Sequence, residues 1–212
     1  MTDNAAKPAL APAPKALSRR TFVGTVVAIA MGIVGLVLRK GRRALPGLWL
    51  RPPGALPEPE FLDACVRCFK CENACPNGCI QFHGPSSGLR QAFTPYIEPR
   101  ARACILCGEC GKACPTGALK PFENKREAWL SDVKMGVARV NKEMCYSYHG
   151  RTCGACYQAC PLAGTAIKIG VFETPIMQPD HCVGCGLCEQ ACLHLPQAIR
   201  VIPLRRSPGR RT

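Results

Sequence analysis

Along these 212 residues the apolar positions form one long run and many short ones. The long run, Phe22 to Leu38, predicts a helix of seventeen uncharged residues, roughly 25 Å at 1.5 Å per residue and at the short limit for crossing a bilayer. Gly24, Gly32 and Gly35 soften such a helix but are tolerated in lipid, and Trp49 beyond it suits a membrane interface. Pro46, Pro52, Pro53, Pro57 and Pro59 then predict an extended linker over 44–60. From 61 to 204 the pattern breaks into short pieces. Ile80–Phe82, Ala118–Lys120, Gly136–Val140, Ala166–Val171 and Ala198–Ile202 predict brief strands, and Gly84–Gly88 predicts a turn. Glu123–Leu130 predicts a surface helix whose Glu123, Lys125, Arg126 and Glu127 form a solvated face. With aromatic residues at 6% of the chain, elements this short cannot supply a large apolar core. Something other than side-chain burial must hold the interior together.

The cysteines identify what does. Sixteen of the seventeen fall into four copies of one pattern. These are Cys65, Cys68, Cys71 and Cys75; Cys104, Cys107, Cys110 and Cys114; Cys145, Cys153, Cys156 and Cys160; and Cys182, Cys185, Cys188 and Cys192. Pro76, Pro115 and Pro161 follow the first three copies, which gives the bacterial run that holds [4Fe–4S] clusters. A tight loop returning a thiolate every third residue can present three ligands to one cube, while the fourth cysteine points elsewhere and ligates the cluster of a partner motif. Four motifs therefore predict four [4Fe–4S] clusters in two pairs, with sixteen cysteine ligands to iron. The spacing leaves two pairings open: first with second and third with fourth, or first with fourth and second with third.

Each copy ends alike, in Cys79-Ile80, Ala118-Leu119, Ala166-Ile167 and Ala198-Ile199, and first cysteines recur at intervals of 39, 41 and 37 residues. The fold class expected is α+β, two dicluster modules of the bacterial ferredoxin type following an N-terminal signal or anchor helix. Cys79 stands where the other copies have alanine and reads as a small packed residue beside a cluster, with a fifth ligand or redox thiol as the lesser reading. Zinc fits poorly, because its CxxC pairs are separated by longer spacers and a third cysteine three residues on does not suit that plan. A disulfide scaffold fits worse, since the cysteine count is odd and the clustering dense. The third copy has a stretched first gap, Tyr146 to Thr152, yet keeps all four thiols.

Ahead of the apolar run, Ser18-Arg19-Arg20-Thr21-Phe22-Val23 has the layout of a twin-arginine export signal, with Arg19 and Arg20 as its pair. That route suits a cargo whose metal binding is coupled to folding before translocation. The A-x-A site Ala28-Ile29-Ala30 would leave too short an apolar segment, so the helix is expected to be retained as an anchor. The expected organisation is a signal and anchor over 1–43, a linker over 44–60, a four-cluster region over 61–204 and a basic tail over 205–212.

The formal charge of +14 narrows once it is divided along the chain. Residues 1–43 carry eight Lys and Arg against Asp3, and Arg205, Arg206, Arg210 and Arg211 lie in the tail. The remainder, 44–204, is close to balanced, with no basic face to read as a nucleic-acid surface; the terminal charge suits a signal, lipid headgroups or a partner. His83, His149, His181 and His194 are scattered, and no nucleophile–base pair, phosphate loop or carboxylate pair stands out, so no catalytic residue is expected. Phe69 and Tyr157, inside motif loops, are expected to shield clusters from water.

Several segments beyond the ligands carry a family likeness. They are Arg51-Pro52-Pro53-Gly54-Ala55, Ala64-Cys65-Val66-Arg67-Cys68, Thr94-Pro95-Tyr96, Met135-Gly136, the stretched third motif ending Cys160-Pro161-Leu162, and Cys182-Val183-Gly184-Cys185-Gly186. In these the chain resembles the periplasmic ferredoxin-type proteins of the NapG/MauM kind, from the export signal to Pro203. It departs in the fourth motif, where Leu193 replaces the usual proline. The resemblance implies an electron conduit at the periplasmic face of the inner membrane. Its partners would be a polytopic iron–sulfur quinol dehydrogenase and a periplasmic reductase or cytochrome c, in nitrate reduction or methylamine oxidation. A structural β-type subunit of a molybdopterin oxidoreductase and a maturation factor are the alternatives.

Overall fold

The computed structural model describes residues 22–29, 31–32 and 49–204. The N-terminal unit is seen as a helix, α1, at 22–29 and 31–32, with its described side chains exposed. Among the described residues no helix is long and apolar enough to cross a membrane. Arg19, Arg20, the second half of the apolar run and the arginines of the tail lie outside the described residues.

The second unit is built from two copies of one supersecondary plan. In the first copy, α2 (Glu58–Ala64) delivers the chain to motif one, and a four-residue helix α3 (Lys70–Asn73) carries Cys71. Strand β1 (Ile80–Phe82) pairs antiparallel with β2 (Pro95–Ile97) before motif two, whose Cys110 lies on α4 (Glu109–Lys112). In the second copy, after the linking helix α5 (Arg126–Asp132), β3 (Gly136–Val140) precedes motif three and α6 (Ala155–Gln158) carries Cys156. Strands β4 (Ile167–Ile169) and β5 (Pro175–Met177) pair antiparallel; α7 (Leu187–Gln190) carries Cys188, and β6 (Ile199–Pro203) closes the module by pairing with β3 from Gly136↔Pro203 to Val140↔Ile199.

The strands expected at Ile80–Phe82 and Gly136–Val140 form over those residues, and those after motifs three and four form within a residue or two of expectation. Ala118–Lys120 does not become a strand. Leu119 makes a single bridge to Ala55, flanked by Leu56 N–H donating to Ala118 O and Lys120 N–H to Gly54 O. The short partner segment, hemmed in by prolines that cannot donate, allows no longer ladder. This bridge is the first module's counterpart of the β3–β6 pair, where Asn141 N–H donates to Ala198 O just as Leu56 N–H does to Ala118 O.

Hence the proline-rich segment is not an extended linker throughout. From Leu50 to Ala55 it is buried, with Arg51, Pro52 and Pro53 inside the packed unit. Gly54 sits at φ +77°, and a Cβ there would come within 2.1 Å of Lys120 O, so only glycine lets the segment lie against the far end of the module. Trp49 packs edge-on to His83 and donates from Nε1 to Gln91 Oε1 at 3.0 Å.

Candidate metal centre

Three of the four cysteine loops share a backbone rhythm. The residue just before the second cysteine is left-handed in motifs one, two and four (Arg67, Leu106, Gly184), and the residue just before the third-cysteine helix is left-handed in all four (Phe69, Gly108, Gly154, Gly186). Such alternation folds successive N–H groups into a concave nest that favours anionic groups, and it swings three thiols to one side. Three of the four helix-entry positions are glycine; Phe69 bears the cost of roughly 1–2 kcal/mol for a left-handed non-glycine residue, and its ring packs on Phe82 with centroids 4.4 Å apart.

The thiols converge in fours. Cys65, Cys68 and Cys71 of motif one line a cavity with Cys114 of motif two. Cys104, Cys107 and Cys110 of motif two line another with Cys75 of motif one. Cys145, Cys153 and Cys156 of motif three line a third with Cys192 of motif four. Cys182, Cys185 and Cys188 of motif four lie near Cys160 of motif three: burial raises the thiols of Cys160, Cys185 and Cys188, and the neighbouring thiols add to it. Of the two pairings the spacing allows, the structure therefore takes first with second and third with fourth. We call these pockets I, II, III and IV after the motif supplying three thiols.

Burial disfavours the bare thiolates in these pockets. Burial, followed by the neighbouring thiolates, pushes Cys71 and Cys110 up to about 12, and Cys156 up to about 11. Burial likewise raises Cys185 to about 12 and Cys188 well above its ordinary value. Thiols so raised hold their protons at neutral pH, and a metal that binds them displaces those protons. Backbone donors are already aimed at sulfur: Leu106 N–H to Cys104 Sγ at 3.4 Å, Leu119 N–H to Cys114 Sγ at 3.5 Å and Ala138 N–H to Cys182 Sγ at 3.4 Å. At Cys114 burial raises the thiol, but hydrogen bonds from the Leu119 N–H and the Thr116 hydroxyl outweigh it and leave it below its ordinary value. Among the described residues no three His, Cys, Asp or Glu side chains close around a single metal ion. Four thiols drawn from two motifs around one cavity are the ligand set of a polynuclear iron–sulfur group.

Cys79 is buried and lines pocket II, its Sγ 3.6 Å from Cys75 Sγ, so five thiols border that cavity. Phe69 lines pocket I; Tyr157 is half-buried and is not among the residues lining pocket III. His181 is exposed beside Cys182, His149 Nε2 meets Glu143 O, and His194 Nδ1 meets Pro196 O. His83 is buried between Trp49 and Tyr96. The pattern of residue types gave no sign of the left-handed positions at Arg67 and Leu106 or of the N–H···S donors, which belong to the backbone.

The sequence matches the 4Fe-4S dicluster domain family over residues 64–118 and 103–164, and a 4Fe-4S binding domain family over 179–193. These spans and the thiol pockets define an iron–sulfur protein of the ferredoxin type. The chain is 38% identical over 205 residues to the methylamine utilization ferredoxin-type protein MauM of Methylophilus methylotrophus, covering 91% of this chain and 87% of the relative. It is 36% identical over 206 residues to the ferredoxin-type protein NapG of Escherichia coli K12, covering 90% and 88%. To the MauM of Methylorubrum extorquens it is 38% identical over 213 residues, covering 93% and 94%. The chain belongs to the NapG/MauM family of ferredoxin-type electron-transfer proteins that bind 4Fe-4S clusters.

Proposed function

We propose that this protein holds four [4Fe–4S] clusters through the sixteen motif cysteines and relays electrons between a quinol-oxidising iron–sulfur partner in the inner membrane and a periplasmic redox enzyme or cytochrome c. When bound, the clusters supply one-electron redox chemistry. The chain's own residues supply the rest. Each loop nest orients three thiolates, the fourth cysteine ties each pocket to its neighbour motif, and Phe61, Leu106, Leu119 and Ile199, all buried, keep water from the cavity walls. The N–H···S donors set how readily pockets I, II and IV accommodate added negative charge. Arg19 and Arg20 direct export of the folded, loaded chain, and the apolar run from Phe22 retains it at the periplasmic face of the membrane. Methylamine oxidation, after the methylamine utilization named for its MauM relatives, and nitrate reduction, which the NapG resemblance implies, are the pathways in which we place it.

The observation carrying this reading is that three thiol quartets, each drawn from two motifs, line cavities, and that Cys160 of motif three lies near the three thiols of motif four. Anaerobic purification with iron and sulfide counts and a redox titration tests it. About sixteen iron atoms on a four-cube assignment, with stepwise bleaching on reduction, supports the reading. A colourless protein, or one with zinc in the pockets, sinks it. Reconstitution with membranes containing quinol then tests the partner: electrons should reach a periplasmic acceptor only when this protein is present.

A further inference from the structure

We propose that the four thiol pockets form one unbranched series in the order I, II, IV, III, so that the motifs are not used in sequence order and pockets I and III are its two ends. The inference rests on the four-cluster reading and goes beyond it by fixing the path.

Each of the three junctions has named residues. Pockets I and II meet where α3 packs on α4, bringing Cys71 near Cys110; Cys75 crosses over to line pocket II, and Asn77 Nδ2 donates to Ala103 O at 2.7 Å beside it. Pockets IV and III meet in the same way, where α6 packs on α7, with Cys192 crossing over to pocket III and Cys156 near Cys188. The junction between modules joins II to IV. The backbone N–H of Cys104 donates to the carbonyl of Cys185 at 2.9 Å, and Ala103 N–H donates to Gln190 Oε1 at 3.0 Å. Pro99 fills the space where a Cβ on Gly186 would fall. The first ligand of one pocket and the second ligand of another are therefore joined by a single backbone hydrogen bond.

The thiols of the inner pockets are the more deeply buried. At pocket IV the three thiols of motif four are buried, and at pocket II Cys104 and Cys110 are buried. At pocket III all four thiols are half-buried, and at pocket I Cys71 is buried while Cys68 is the one exposed motif cysteine.

The test is magnetic coupling in the full-length, fully reduced protein, read by electron paramagnetic resonance alongside iron counts. Cys107→Ala, which disables pocket II, should leave about twelve iron atoms, an uncoupled signal from pocket I and a coupled pair from III and IV. Cys153→Ala, which disables pocket III, should leave the other three coupled. Three coupled centres in Cys107→Ala, or a freed pocket I signal in Cys153→Ala, overturns the order. If either variant loses further iron, pulsed dipolar measurements on the unmodified protein decide: one separation longer than all others supports the series, and six similar separations overturn it. A wild-type iron count far below sixteen defeats the four-cluster reading itself, whereas a full count with the wrong coupling defeats only the order.

Discussion

Arg51 and Glu58 form a two-point ion pair, Nε to Oε2 at 3.0 Å and Nη2 to Oε1 at 2.5 Å, at the place where the chain enters the first module. The same guanidinium donates from Nη1 to Thr94 Oγ1 at 3.0 Å and to Pro95 O at 2.7 Å, and lies 4.8 Å from the centre of the Phe61 ring. It thus fastens α2, which delivers Cys65, to the start of β2. Arg51→Ala leaves Thr94 and the partly buried Glu58 without this donor and should cost roughly 2–4 kcal/mol. Arg51→Lys should recover only part of that, because an ammonium cannot make the planar two-point contact. Denaturant midpoints followed by visible absorbance of the anaerobic protein check the ranking; equal midpoints for all three proteins would refute it.

Gly184 lies at φ +77° against β3, where a Cβ would come within 2.3 Å of Gly136 N. Met135 N–H donates to Val183 O at 3.0 Å beside it. Gly184→Ala adds a left-handed penalty of roughly 1–2 kcal/mol to a backbone clash. The expected result is loss of iron from the second module, with that of the first retained. Iron counts together with limited proteolysis locate the damage, and a full iron complement would show that the close approach is dispensable.

Much of this architecture could be read in advance because thiol spacing dictates loop geometry. Motif positions and the strands at Ile80 and Gly136 follow from local pattern. The pairing of motifs did not, since the direction of Cys75 or Cys114 depends on how two loops pack. Strands β2 and β5 escaped because each begins with proline, Pro95 and Pro175, which weakens a strand signal although a first-position proline needs no ladder donor. The prolines around Arg51 suggested a spacer; the hydrogen bonds that bury this segment come from Thr94 and Pro95, more than forty residues away. Resemblance had marked Arg51-Pro52-Pro53-Gly54 and Met135-Gly136 without a reason. The Gly54–Lys120 and Gly136–Gly184 approaches provide one.

Cys79 supplies a contrast between lining a pocket and filling a ligand position. Its Sγ is 3.6 Å from that of Cys75, yet the motif already places four thiols around pocket II. Cys79→Ala removes a small buried group where the other copies carry alanine, so iron content should be unchanged and stability should fall by about 1–2 kcal/mol at most. Because an S–H beside a cluster thiolate favours added negative charge, the potential of pocket II should shift downward in the variant. Loss of about four iron atoms would instead make Cys79 a ligand.

His83 gives the first module a pH dependence of its own. The ring is 3% exposed, stacks on Tyr96 at 4.3 Å, and has no hydrogen-bond partner at Nε2. Burial, and then the Arg51 guanidinium, lowers its pKa to about 4, against a weaker opposing pull from Glu58. Between about pH 6.5, the ordinary histidine value, and about pH 4, the unfolded chain therefore binds a proton that the folded chain does not. Stability contributed by the neutral ring is full above that window and is lost as pH falls through it, by roughly 3 kcal/mol at most. His83→Phe keeps the stacking surface and removes the titration. Its stability should fall less steeply than that of the unmodified protein between pH 6.5 and 4, and the two slopes should agree above pH 7. Denaturant melts of the reduced, loaded proteins at matched ionic strength measure both slopes, and parallel curves across the acid window would mean that His83 takes up its proton without leaving the fold.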